Sequence, residues 1–100
     1  MSSPKLPIIL SPEAQDDFAD IQSYTLQTYG ETQWEKYEGR IAAVLDLLSE
    51  HEQTGTGRPD LPPDVRVFPV EQHRIYFRVT SMAVHVARIL HSRMDAKRYL

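Results

Sequence analysis

Cysteine is missing altogether from these 100 residues, so neither a disulfide nor a thiolate metal site can contribute to the fold. Lysine is scarce, with only Lys5, Lys36 and Lys97, and the formal net charge is −3. That composition lacks the dominant positive field on which binding to bulk nucleic acid depends, and no sequence-specific nucleic-acid binding is expected. No apolar run approaches the ~20 residues that cross a bilayer, and the opening Met1 to Pro7 stretch has no signal-peptide core. A cytoplasmic protein that does not enter the membrane is expected. His51, His73, His85 and His91 show no His-Glu-x-x-His pairing, and Gly55 and Gly57 are not followed by the Lys-Ser/Thr of a phosphate loop. No Gly-x-Ser-x-Gly elbow occurs either. Metal binding, a nucleotide cofactor and serine-hydrolase chemistry are thereby set aside, and no cofactor is expected.

What is present is an uneven division of charge. Residues 1 to 64 hold 12 acids against 4 Lys/Arg, a net −8, whereas residues 65 to 100 hold 2 acids against 7 Lys/Arg, a net +5. The last third is apolar and cationic at once, with arginine threaded into each segment, and arginine is almost never fully buried unless paired. An interacting surface is therefore expected in the basic part. Arg88 sits inside an apolar segment, where a lone charge would be costly, so a carboxylate from the acidic first half is its expected partner. Arg74 and Arg78 flank Tyr76 on one face of a strand pattern and are the candidates for an exposed patch.

Hydrophobic residues make up 41% of the chain, enough for one domain spanning residues 1 to 100, which at this size buries somewhat over 60% of its unfolded surface. Ile8-Ile9-Leu10 is too short for a helix and reads as a strand. Ser11 suits a helix N-cap and Pro12 the first helical position. Ala14, Phe18, Ile21, Thr25 and Thr28 then recur at helical spacing. Gly30 is placed to end this helix in a left-handed conformation. A second helix follows at once, with Trp34, Tyr37, Ile41, Val44, Leu45 and Leu48 as its apolar stripe. So short a link makes residues 12 to about 51 an antiparallel helical hairpin. The turn formers from Gln53 to Asp64 form a loop. Three β-rich segments close the chain, joined by links of hairpin length. The third of them is apolar on both parities, as a central strand would be. The expected fold is a two-layer α+β domain: an N-terminal strand, a helical hairpin packed on a mainly antiparallel sheet, and a short C-terminal helix or tail. The position of the first strand in the sheet is left open.

These residues carry a resemblance. A short strand, Ser11-Pro12-Glu13-Ala14 with Asp17 opening a helix, Tyr29-Gly30 before a second helix, Gly57-Arg58 with Asp60-Leu61, Arg66-Val67-Phe68, and a closing Arg88-Ile89-Leu90-His91-x-Arg93-x-Asp95 resemble the ParE branch of the RelE/ParE toxin superfamily. The resemblance implies the toxin of a type II toxin-antitoxin system, neutralised in a hetero-oligomer by a ParD-like antitoxin and poisoning DNA gyrase by binding it. It would not be an enzyme. Two alternatives stay open: a RelE-like ribosome-dependent mRNA endoribonuclease, and a non-toxic antitoxin-bound module.

Cleavage of RNA without a metal needs a base, an acid and cations around the phosphorane. His91, Tyr99 and Arg93 are the candidates if the chain is a nuclease. For target binding the candidates are Arg74, Arg78, His91, Arg93, Lys97 and Arg98. For antitoxin binding they are Asp16, Asp17 and Asp20 on the first helix, with Trp34 and Tyr37 if part of the second helix's stripe is left uncovered. Otherwise Trp34 and Tyr37 belong to the core and the three aspartates to a solvated face. Asp95 is placed to cap a short terminal helix or to pair with Arg93.

Overall fold

A computed structural model describes residues 5–51 and 53–100. Met1 to Pro4, part of the stretch read above as lacking a signal-peptide core, lie outside the described residues. Strand β1 (Ile8–Leu10) leads into helix α1 (Pro12–Tyr29), then come α2 (Glu31–Glu50), β2 (Arg66–Val70), β3 (His73–Val79), β4 (Val84–His91) and a terminal 3₁₀ turn (Ala96–Arg98). The helix boundaries follow local chemistry. Ser11 Oγ accepts from the Ala14 N–H at 3.0 Å, and Pro12 occupies the first turn, where no amide hydrogen is needed. Gly30 alone joins the helices, and its N–H donates to the Thr25 and Leu26 carbonyls. Its φ of 91° with ψ of 178° is not the expected left-handed helical cap but the extended positive-φ region that is essentially confined to glycine.

The sheet order is β1-β4-β3-β2, with β1 parallel to β4 and the other pairs antiparallel. The apolar third segment is thus a central strand, and the first strand adds beside it. The expected two-layer α+β architecture is the one observed. Ala14 and Ile21 of α1 and Trp34, Ile41 and Leu48 of α2 pack with Ile75, Phe77, Val84, Val86 and Ile89 of the sheet in one core. Of the predicted stripe on α1, Thr28 is exposed.

Two features went beyond the periodicity. Tyr76 pairs with Arg88 but Phe77 pairs with Val86, so Ala87 is an extra residue in β4. Such a bulge reverses the side-chain parity, which is how Val84, Val86 and Ile89 can all face the helices. The sheet's other face is the second feature. Tyr76, expected between two cations on an open face, is only 1% exposed. Leu61 and Val65 from the long loop cover it together with Leu90 and Ala96, while Val67 and Leu100 pack alongside. The turn-rich loop and the C-terminal turn therefore form a small second core, which alternation within one strand cannot reveal.

Edge protection is built in. β1 pairs with β4 only up to Val86; beyond it, Ser11 Oγ donates to the Ala87 carbonyl at 2.7 Å and the Asp17 carboxylate accepts from the Ile89 N–H at 2.9 Å. At the opposite edge Thr56 exchanges two backbone hydrogen bonds with Val67, and Pro69 has no N–H to offer a further strand.

Candidate functional site

A groove of about 570 Å³ opens between the two helices, the β2–β3 turn and the adjoining ends of β3 and β4. Ile21, Tyr24, Thr25 and Tyr29 of α1 form one wall, and Gln33, Tyr37 and Arg40 of α2 form the next. The β2–β3 turn contributes Glu71 and Gln72, while the strand ends place His73, Ile89 and His91 at the floor. Helical spacing accounts for the first wall: Ile21 and Thr25, four residues apart, are buried against the sheet, while Tyr24 is 64% exposed at the rim.

Three rings meet in the groove. His73 and His91 face each other across the β3–β4 pair, edge to face, with centroids 5.3 Å apart. Tyr37 lies 5.5 Å from the His73 ring. Its hydroxyl donates to the Val70 carbonyl at 3.3 Å and is hydrogen-bonded to His73 Nδ1. Burial, reinforced by the neighbouring His91, pushes the His73 pKa down to about 4, against a smaller opposing pull from Asp17. His73 is therefore neutral at pH 7. Burial chiefly raises the Tyr37 phenol above its ordinary value, so this group also stays neutral. His91 Nδ1 accepts from the Arg93 N–H at 3.1 Å.

Beside the groove the predicted partner of Arg88 is found. Asp17 takes Arg88 Nε at 2.8 Å and Nη2 at 2.7 Å, in addition to the Ile89 N–H. Both side chains are largely removed from solvent, at 11% and 18% exposed. The Arg88 guanidinium also lies 5.1 Å above the Tyr99 ring. Asp17 was expected among acids offered to an antitoxin; its three acceptor contacts make it a structural clasp between α1 and β4. Asp16 and Asp20 are exposed. Trp34 and Tyr37 are 6% and 8% exposed and lie in the core, because α2 sets its stripe directly onto the sheet. Trp34 packs edge to face on Phe18 at 5.4 Å. The phenol end of Tyr37 nevertheless reaches the groove.

The basic candidates are scattered. Arg78 is paired with Asp64 at 2.8 Å, and Arg74 lines a shallow depression on the outer face with Arg58, itself clasped by Asp60. Arg93, Lys97 and Arg98 are exposed around the C-terminal turn, where Asp95 accepts from the Lys97 N–H as a cap. No Arg93–Asp95 ion pair occurs among the described residues. His91 and Tyr99 are engaged separately, the first with the Arg93 backbone in the groove and the second beneath Arg88. Among the described residues no group of three or more His, Asp or Glu is arranged to hold a metal ion. No helix is long and apolar enough to cross a membrane, again among the described residues. The groove residues that sequence reasoning passed over are Tyr24, Tyr29 and His73. Two tyrosines outside the apolar stripe of α1 were a usable signal, whereas the partnership of His73 with His91 depends on strand register.

Against known proteins, the sequence model of the family described as "ParE toxin of type II toxin-antitoxin system, parDE" matches residues 8–96. The chain belongs to this ParE toxin family. Among relatives, it is 30% identical over 93 residues to "Toxin ParE1" of Mycobacterium tuberculosis (strain ATCC 25618 / H37Rv), covering 92% of this chain and 95% of the relative. It is 32% identical over 96 residues to "Toxin ParE1" of Caulobacter vibrioides (strain ATCC 19089 / CIP 103742 / CB 15), covering 94% and 97%. A solved structure described as "Chromosomal ParDE TA system from P. aeruginosa" superposes with a TM-score of 0.73 at 23% identity, over 89% of this chain and 98% of that one. The family match spans the strand, the hairpin and the sheet of this chain.

Proposed function

We propose that this chain is the toxin arm of a type II toxin-antitoxin pair that acts by binding DNA gyrase and is silenced in a cytoplasmic hetero-oligomer by a ParD-like antitoxin. The observation that carries the proposal is the family match over residues 8–96. Binding rather than RNA cleavage is favoured by the engagement of the nuclease candidates inside the molecule: His91 Nδ1 accepts from the Arg93 N–H and the Tyr99 ring lies under the Arg88 guanidinium, whereas a general acid and base must be free to reach one phosphodiester. The net charge of −3 also argues against docking on ribosomal RNA. The exposed Arg93, Lys97 and Arg98 form the candidate target surface.

Controlled expression without antitoxin tests this, reading an SOS reporter and transcript integrity in one culture. SOS induction with intact transcripts is expected, followed by loss of gyrase supercoiling activity with the purified protein. Transcripts cut within minutes while the reporter stays flat would reject gyrase poisoning and make the chain a nuclease; normal growth would make it a non-toxic module. Probing the target surface calls for point substitutions rather than truncation after Asp95, because Ala96 and Leu100 belong to the second core. Arg93→Ala with Lys97→Ala and Arg98→Ala is expected to abolish toxicity and keep antitoxin binding.

A further inference from the structure

The sheet's outer face holds a depression separate from the groove. About 440 Å³ in volume, it is lined by Thr56, Arg58, Val67, Pro69 and Arg74. Strand register and the long loop bring these residues together: Pro69 lies opposite Arg74 across the β2–β3 pair, and Thr56 is fastened to Val67 by two backbone hydrogen bonds. The arginines of this face differ in what they have left to offer. Arg78 is paired with Asp64 at 2.8 Å. Arg58 is held by Asp60 through Nε at 3.0 Å and Nη2 at 2.6 Å, and it is also hydrogen-bonded to the Tyr76 side chain. A guanidinium has five N–H donors, so Arg58 is oriented and still has donors for a further acceptor. Arg74 has no hydrogen-bond or ion-pair partner among the described residues. It is half-buried, so its stem is already held against the sheet and little further ordering is needed when its head is bound.

Resting on the target-binding reading above, we propose that this depression seats a single acidic side chain of the protein target, its carboxylate held by Arg74 and Arg58 and its carbon stem lying on Val67 and Pro69. Guanidinium groups meet carboxylates in charge-assisted hydrogen bonds, and the exposed Thr56 hydroxyl lines the same depression as a further donor. The surroundings carry a surplus of positive charge: Arg58, Arg74, Arg78 and Lys97 stand against Asp60 and Asp64, a net +2. Lys97 belongs to this group because, after the dominant hydrogen bond from Arg58, its charge also helps to hold the Asp60 carboxyl below the usual carboxylate range. The C-terminal turn lies alongside, since Ala96 packs with Tyr76 in the second core. The seat thus extends the surface of Arg93, Lys97 and Arg98. The two acids decide between a protein and a nucleic acid. A backbone charged at every nucleotide would run over Asp60 and Asp64 with like sign, which is disfavoured at an interface; one carboxylate flanked by apolar atoms meets the arginines alone.

The test titrates two short peptides into the isotope-labelled full chain and follows its amide resonances by NMR. The peptides are identical, with apolar residues around a central position that is glutamate in one and glutamine in the other. The glutamate peptide is expected to bind roughly tenfold more tightly, the scale of a hydrogen bond to a charged group, with the largest shifts at Thr56, Arg58, Val67 and Arg74. Arg74→Gln should remove the preference, whereas Arg78→Gln, at a cation already paired, should leave it in place. Circular dichroism checks that each variant folds, and the wild-type comparison stands without them. Equal affinity for the two peptides would overturn the seat, as would shifts confined to other residues. An Arg78→Gln effect as large as that of Arg74→Gln would also overturn it, marking the charge of the whole face. A short single-stranded oligonucleotide that saturates the same resonances more tightly than the glutamate peptide would replace the carboxylate by a phosphate. The two readings fail separately. Growth arrest by the wild type, with peptides that do not discriminate, rejects the seat alone; absence of arrest rejects the toxin reading whatever the peptides do.

Discussion

Replacing Asp17 by alanine should be the most damaging single change on α1. The carboxylate accepts three hydrogen bonds, two from Arg88 and one from the Ile89 N–H, at a point where β1 no longer covers the edge of β4. Removing it leaves a largely buried guanidinium without its counter-charge, and breaking a buried pair from one side costs about 3–5 kcal/mol. Arg88 is 18% exposed and can recover some hydration, which lowers that figure, while the orphaned Ile89 amide adds about 1 kcal/mol. A loss of about 3 kcal/mol is therefore expected, which for a domain of this size is a fall in Tm of roughly 12–24 °C. Urea denaturation followed by circular dichroism provides the assay, with Arg88→Met and the double variant completing a cycle. The double variant should be more stable than Asp17→Ala alone, because it removes the unpaired charge. High salt should change the wild-type value little, since a pair this sheltered is weakly screened. A cost below about 0.5 kcal/mol, the range of an ordinary surface substitution, would refute the reasoning. So would a double variant that loses the full sum of the two single changes.

Three further outcomes are expected. Because burial holds the His73 pKa near 4 in the fold against 6.5 as the ordinary value, the unfolded chain binds this proton first, so stability should fall as pH drops from about 6.5 to about 4. His73→Gln should flatten that part of the pH-stability curve relative to wild type, and parallel curves would refute the assignment. Gly55→Ala would set a Cβ 2.7 Å from Phe77 Cζ at a φ of +91°, combining backbone strain with overpacking, so thermal unfolding should report a loss of about 2 kcal/mol or more. Gly30→Ala has the same φ but nothing within 4 Å, and its cost should stay near the backbone strain alone, about 1–3 kcal/mol. Equal losses at the two glycines would show that the Phe77 contact is not rigid.

Local chemistry made much of the fold legible. The Ser11-Pro12 start, the glycine link and the α2 stripe announce themselves because capping, positive φ and helical spacing act over a few residues. The need of Arg88 for a carboxylate could likewise be read from its apolar setting. Its partner could not, since Asp17 lies 71 residues away and meets it only where the parallel β1 strand stops short. The same limit applies to the site. Exposed Tyr24 and Tyr29 stand out along α1, but the groove forms only where α1, α2 and the β2–β3 turn come together in space, and the His73–His91 contact follows from β3–β4 register.

By itself the sequence determined the order and type of the elements, the helical hairpin, the cationic last third and the membership of Ile8 to Ala96 in the ParE family. The tertiary structure alone decided that β1 joins β4 in parallel, that a bulge at Ala87 turns Ile89 toward the helices, and that the loop and C-terminal turn bury Tyr76. It also decided which charges are paired inside the molecule, Asp17 with Arg88 and Asp64 with Arg78, and which stay exposed, as Asp20 does. The physical reason is range: propensity and capping act between neighbours in sequence, whereas pairing of charges, strand register and burial act between neighbours in space.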